Sequence, residues 1–203
     1  MSLYSCTLAT PLGQMLAVAC DQGLCLLEFC DQKHLARELA QVQAHQGQGA
    51  PKAAIASITA ITAMAAQQHP VLAQTETQLG QYFARQRRSF DLPLQCIGTP
   101  FQRAAWQALL HIPYGQTRSY AAQAQALGKP SATRAVAAAN GANKISIVVP
   151  CHRVIGSDGS LTGFGAGLAR KLALLTLESS HDASTSPLIE VACEPSSSLS
   201  SSP

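Results

Sequence analysis

The feature that most constrains the fold is the punctuation between Gly98 and Gly141. Thr99 is an N-cap and Pro100 a first-turn proline for a helix expected through residue 110. Trp106, Leu109 and Leu110 form its apolar face. Ile112-Pro-Tyr-Gly115 is a turn. Ser119 caps a helix to residue 127, Gly128-Lys-Pro130 turns the chain, and Ser131 caps a second short helix over 132–139 that stops at Asn140-Gly141. Short helices joined by tight turns make this half mostly helical. The last two also trace a helix-turn-helix outline, which many helical hairpins share without binding anything.

The first half reads differently. Residues 14–20 and 24–29 are strands about the turn Asp21-Gln-Gly23, a hairpin signal. Residues 32–44 have helical spacing, broken by His45-Gln-Gly-Gln-Gly49, and the stretches 53–66 and 75–85 are expected helices. Residues 87–93 read as an extended linker. The fold class is therefore α+β: a small N-terminal sheet-plus-helix domain over 1–91, then a mostly helical C-terminal domain over 92–179. From Ser179 onward ten of 25 residues are Ser and three are Pro, so 180–203 is expected to be a disordered tail. Hydrophobic residues make up 47% of the chain, which excludes wholesale disorder. No window reaches the roughly 18 apolar residues of a membrane span. The first residues carry no signal-peptide pattern, so a cytoplasmic place is expected.

Net charge is +3, and its distribution is uneven. Residues 1–91 balance. Residues 92–177 carry eight Lys/Arg against Asp158 alone, and residues 178–203 carry four acids and no base. A segment at +7 is either an anion-binding surface, with nucleic acid the leading partner, or a solvated surface poor in acids. The bases Lys129, Arg134 and Lys144 flank the second helix of the helix-turn-helix outline. Seven cysteines are present, with no C-x-x-C pair. Free thiols in a reducing compartment are the expectation, with Cys25 buried inside a strand.

Residues 145–149 read as a buried strand that runs into Pro150-Cys151-His152-Arg153-Val154. A cysteine held by proline and followed by His and Arg is poised for a lowered pKa. If this stretch is extended, Cys151 and His152 point to opposite faces and a water relay must join them. Beyond lie the turn Gly156-Ser-Asp-Gly159, the loop Gly163-Phe-Gly-Ala-Gly167 and a closing helix over 168–177.

The Pro-Cys-His-Arg-Val string resembles the active-site signature of the O6-alkylguanine-DNA alkyltransferases, the methylated-DNA–protein-cysteine methyltransferases. Phe101-Gln-x-x-x-Trp106, Ile112-Pro-Tyr-Gly115, Ser119-Tyr120, Arg134-Ala-Val136, Asn143, Leu161-Thr-Gly-Phe164 and Glu178 match the family's pattern and spacing. The Pro11-Leu-Gly13 hairpin resembles its N-terminal, ribonuclease H-like domain more loosely. The resemblance implies direct, single-turnover repair of O6-alkylguanine in double-stranded DNA, with O4-alkylthymine as a second substrate, no cofactor and a monomeric protein.

It also implies roles. Cys151 takes the alkyl group. His152 removes the thiol proton through a water, and Glu178 orients His152. Asn143 holds the turn before the cysteine. Tyr120 donates to the leaving guanine and crowds the target phosphate. Arg134 enters the stack where the flipped base leaves. Ser119, Lys129, Ala135 and Asn140 face DNA, and backbone groups at Cys151, Val154 and Gly165 read the guanine edge. The chain departs from the family where Lys144 replaces a common Pro, where Ala137 or Ala138 replaces Gly, at Ala173 where an aromatic is common, and at Phe164 in place of Tyr. In some members the N-terminal domain binds zinc. Cys20 falls at a comparable place, but Cys25 stands where that pattern has His and the other ligands do not align, so no metal is expected. The rival readings are a DNA-binding regulator with Cys151 only packing, and a cysteine hydrolase.

Overall fold

The computed structural model describes residues 2–45 and 61–179. Strands β1 (Leu3–Thr10), β2 (Gly13–Cys20) and β3 (Gly23–Phe29) form an antiparallel meander, and β4 (Ile61–Ala63) pairs parallel to β1, giving the order β3-β2-β1-β4. The β2–β3 hairpin is as expected. Its turn needs Gly23: φ is +144°, and a side chain there would meet the Pro93 carbonyl. Strand β1, which the sequence announced only through the Pro11-Leu-Gly13 hairpin, pairs with β2 over its full length.

The helix expected over 53–66 does not extend to its end. Residues 61–63 are strand β4 and Ala66–Gln68 is a single 3-10 turn, while the stretch up to residue 60 lies outside the described residues. Ile61 and Thr62 are β-branched, and pairing with β1 outweighs the helical spacing. The next helix, α2 (Pro70–Phe83), begins a turn and a half before the expected start because Pro70 occupies its first position.

The sheet is covered on both faces. Helix α1 (Leu35–His45) places Leu39 and Val42 against Leu3, Val18, Cys20 and Leu26. On the other face, Leu8, Met15, Leu27 and Phe29 share one core with Leu72, Leu79 and Tyr82 of α2. Trp106, Leu109, Val136, Ile147 and Leu174 of the second half join that same core. All seven residues of β3 are buried.

The outer edge of β3 is taken by the second half. Leu24 N donates to Pro93 O and Gln95 N to Leu24 O, at 2.8 and 2.9 Å. Leu27 N donates to Lys144 O, and Ser146 N to Leu27 O, both at 2.8 Å. The segment expected as a linker over 87–93 thus runs into residues that pair with the sheet.

The second half is helical as expected. Thr99 and Gln102 form a reciprocal cap on α3 (Pro100–Leu110). Leu110 is a correction: it is 39% exposed, and Ala105 joins Trp106 and Leu109 on the buried face. Strand β5 (Arg118–Ser119) pairs with β6 (Val154–Ile155). Ser119 caps α4 (Tyr120–Ala126) through its hydroxyl, which accepts from Ala122 N at 3.1 Å. Helix α5 (Thr133–Gly141) follows a 3-10 turn over Pro130–Ala132. Ser131 falls inside that turn, so it does not cap the helix. Helix α6 (Leu168–Ser179) closes the described chain. None of the described helices is long and apolar enough to cross a membrane.

The run 145–149 is buried but is not a strand. Only Ile145 makes a bridge, to Leu27, after which the chain turns. Val149 N returns to Ile145 O at 2.9 Å, and Ile147 sits at φ +73°. After that bridge the chain leaves the β3 edge. The apolar run therefore folds onto the core and delivers Pro150 and Cys151 behind the sheet. A β-branched residue at positive φ costs about 1–3 kcal/mol, carried here four residues before Cys151.

Candidate active site

Cys151 opens a 3-10 turn, Cys151–Arg153, rather than extended chain. Its side chain is held by what precedes it. Asn143 Nδ2 donates to Val149 O at 2.9 Å and to Cys151 Sγ at 3.2 Å, and Asn143 Oδ1 accepts from Ile145 N at 3.1 Å. One amide thus fixes both ends of the turn and points a donor at the sulfur. Cys151 is 6% exposed, and burial pushes its thiol up to about 11. The lowered pKa expected from the neighbouring His and Arg is not found. Asn143 and Lys171 favour the thiolate, and the Glu28 carboxyl opposes it, but desolvation wins. The resting group is a thiol and needs a base.

His152 is fully buried. Its Nε2 lies 2.9 Å from Glu178 Oε1, and its Nδ1 has no hydrogen-bond partner among the described residues. Burial alone would raise the Glu178 pKa, yet His152 and Arg153 hold it at about 2. An ionised carboxylate only accepts, so Nε2 carries the proton and Nδ1 keeps the lone pair. Burial pushes the imidazole below its ordinary value despite Glu178. The outcome is a neutral imidazole with a free basic nitrogen one residue from a protonated thiol.

Arg153 does not lend its charge to the cysteine. It makes a fork on Glu178, Nε to Oε2 at 2.8 Å and Nη2 to Oε1 at 2.9 Å, and its Nη1 donates to Ile112 O at 2.6 Å. Tyr82 of α2 also donates to Glu178 Oε1, at 2.8 Å, and Gly115 N to Oε2, at 3.3 Å. Glu178 is thus the anchor of α6 as well as the partner of His152.

Tyr120 points at the glycine-rich loop, its hydroxyl donating to Thr162 O at 3.0 Å and Gly163 O at 3.3 Å. Gly163 is at φ +59°, and a Cβ there would sit 2.8 Å from that hydroxyl, so only glycine fits. Lys171 of α6 is fully buried and donates to Val154 O and Thr162 O, both at 2.5 Å. Burial brings its pKa down to about 8. Lys171 therefore ties Val154, next to the cysteine turn, to the loop that carries Gly165.

The basic surplus is smaller at the surface than the sequence suggested. Lys144, Arg153 and Lys171 are buried, and Arg170 pairs with Asp31 at 2.8 Å. Arg103, Arg118, Lys129 and Arg134 remain exposed. Lys144, expected to flank the recognition outline, instead donates to Ile97 O at 3.0 Å, 5.4 Å above the Trp106 ring. On α5, Arg134, Ala135, Ala137 and Ala138 are exposed. Asn140, expected to face DNA, is 3% exposed and locked to Gln123 by bonds of 2.7 and 3.2 Å. Cys20 and Cys25 bring two thiols together at 3.4 Å, short of the four ligands of a structural zinc.

Four of these residues escaped the sequence reading as site components: Tyr82, Lys171, Glu28, and Arg153 as the partner of Glu178. Glu28 Oε1 lies 2.5 Å from Ser146 Oγ. Only Arg153 had a local signal, its place in the Pro-Cys-His-Arg-Val string.

Fold and site together define an α+β protein organised around one buried thiol with its own histidine–carboxylate pair. Residues 100–180 match the 6-O-methylguanine DNA methyltransferase DNA-binding domain, and residues 3–96 match the ribonuclease-like domain of the same enzymes. The chain belongs to this methyltransferase family. A Mycolicibacterium paratuberculosis methylated-DNA–protein-cysteine methyltransferase is 54% identical over 113 residues, 56% of this chain and 68% of that protein. One from Mycobacterium tuberculosis strain H37Rv is 57% identical over 104 residues, 51% of this chain and 63% of that protein. The crystal structure of Mycobacterium tuberculosis OGT in complex with DNA superposes with a TM-score of 0.71 at 38% identity. It covers 87% of this chain and 93% of that one.

Proposed function

We propose that the protein repairs DNA by moving the alkyl group of O6-alkylguanine onto Cys151. The carrying observation is the buried chain from Glu178 Oε1 to His152 Nε2, with Nδ1 left as the free base beside a thiol held up at about 11. Through one bridging water, Nδ1 takes the proton from Sγ as the sulfur attacks the alkyl carbon. The S–C bond forms, the O6–C bond breaks, and the pair of electrons leaves with the purine. Tyr120 donates a hydrogen bond to the leaving guanine, which takes up one proton from water as the imidazolium returns the thiol proton to water. Glu178 stabilises the imidazolium. A thioether is not reversed by thiol exchange, so one protein handles one lesion.

DNA is held without reading sequence. Lys129 and Arg134 meet the duplex from α4–α5, acting as a helix-turn-helix, with Ser119 contributing at the α4 cap. The small face of Ala135, Ala137 and Ala138 permits close approach to the minor groove. The target base flips out at a cost of a few kcal/mol, Arg134 fills its place, and backbone groups at Cys151, Val154 and Gly165 read its edge. O4-alkylthymine is a second substrate. The protein works as a monomer in the cytoplasm, with a catalytic unit beginning after about residue 91. The family matches, the exposed bases and the reduced thiols support this reading.

Intact-protein mass after mixing with a duplex carrying one O6-methylguanine tests it. Wild type gains one methyl, mapped to Cys151 and saturating at one per protein, and Cys151→Ala gains none. Folded, reduced wild-type protein that binds the duplex and gains nothing overturns the reading.

A further inference from the structure

Tyr82 stands at the end of α2 in the N-terminal half, 96 residues before Glu178. It is fully buried and packed by the rings of Phe83, Phe90 and Tyr114, with centroids 5.3, 5.4 and 6.1 Å away. Its hydroxyl reaches Glu178 Oε1 at 2.8 Å. That same oxygen accepts His152 Nε2 at 2.9 Å and Arg153 Nη2 at 2.9 Å. Glu178 is ionised, so the phenol must donate. Burial and the Glu178 charge both raise Tyr82 far above its ordinary range, so it donates at every working pH.

We infer that Tyr82 is a positioning residue for the transfer: by donating to Glu178 Oε1 it sets how firmly that oxygen holds the His152 imidazolium. The inference rests on the reading of His152 as the proton acceptor. Three donors share Oε1, and each draws on the same carboxylate charge. Arg153 draws with a full positive charge and fixes the carboxylate plane. Tyr82 draws with a neutral dipole, so it moderates the His152–Glu178 attraction without adding a second cation. The ionisable groups facing His152 are Glu178 and Lys171 on α6, Arg153 on its own turn and, through Glu178, Tyr82 on α2. Those facing Tyr82 are Glu178, Arg153 and Tyr114. Glu178 is the only carboxylate in either set, so the sign is fixed. Losing the phenol hydrogen bond leaves more carboxylate charge for the imidazolium, and the imidazole pKa rises.

The test is Tyr82→Phe in the full chain. The single-turnover rate of methyl transfer is followed from about pH 8 down through the acid range in which the protein stays folded, because burial holds the His152 imidazole below its ordinary value. The acid limb of the profile is expected to move up by roughly half a unit to one unit, the equivalent of one modest hydrogen bond. On that limb the rate falls about three- to tenfold, while the plateau above it and DNA affinity stay the same. A second variant carries 3-fluorotyrosine at position 82 alone. Its stronger donor moves the limb the other way with little change in packing. Profiles that superimpose on wild type, even with a lower melting temperature, leave Tyr82 a packing residue and overturn the inference. NMR titration of the His152 ring without DNA reads the same shift independently. An unmoved His152 titration in Tyr82→Phe would sink this inference even where wild type transfers methyl, and a wild type that transfers no methyl would sink the repair reading whatever the titration shows.

Discussion

Glu28 shows how one residue's surroundings set the behaviour of the whole. It lies buried on β3, 2.5 Å from Ser146 Oγ, and burial pushes its carboxyl up to about 8. The nearby Glu38 raises it further, and the Ser146 bond only partly compensates. The folded chain therefore keeps a proton that the unfolded chain releases near pH 4.5. Stability is complete below that value and is lost as pH rises through about 8, at up to ~1.4 kcal/mol per pH unit. Glu178 runs the opposite way: its stabilisation is present above about pH 4.5 and lost as pH falls through about 2. The windows do not overlap. Glu28→Gln should thus melt at nearly the wild-type temperature at about pH 5 and at a higher one at about pH 8. Equal shifts at both values would place the Glu28 proton elsewhere.

At this scale the sequence was most informative about the reactive turn. Cys151, His152, Asn143 and Glu178 were legible because one spaced pattern carries them all, and the geometry brings them together. Tyr82 and Glu28 were not, because their partners lie 96 and 118 residues away and no local pattern encodes such a meeting. The raised thiol of Cys151 was missed for a related reason: neighbours in the chain suggest charge, but burial is a property of the folded core.

Among elements, α5 separates two kinds of polar residue that look alike in sequence. Arg134 is exposed on its outer face, while Asn140, a turn and a half on, is paired with Gln123 of α4. Asn140→Ala should cost about 1–3 kcal/mol, because it leaves a buried amide short of a partner, and should leave DNA affinity unchanged in the folded protein. Arg134→Ala should do the reverse: no loss of melting temperature, and weaker duplex binding across all sequences. Chemical denaturation and a binding titration at fixed salt separate the two. The helix ends were legible here, since Thr99, Pro100 and Ser119 are chemical signals read locally. Strand β4 was not, because its strand partner among the described residues, β1, lies near the start of the chain.

The two halves of the described chain share one core even though the sequence divides in two. A single apolar cluster holds Met15, Phe29 and Tyr82 together with Trp106, Ile147 and Leu174. A fragment of residues 92–179 loses half of that cluster along with the Tyr82 and Glu28 contacts. It should show no cooperative thermal transition by circular dichroism. A sharp transition in the fragment would mean the second half holds its own core.

The pairing at the rim of β3 has a consequence for how this protein can fail. Seven buried residues, Gly23–Phe29, form a strand whose outer backbone groups pair, among the described residues, with segments 93–95 and 144–146. A chain cut or stalled before residue 144 leaves much of that rim bare, with Leu24, Leu26, Leu27 and Phe29 beside it. Such a surface is a template for strand addition. Partial products of this chain are therefore prone to self-association, and the residues that deliver the reactive cysteine also keep the sheet from growing onto its neighbours.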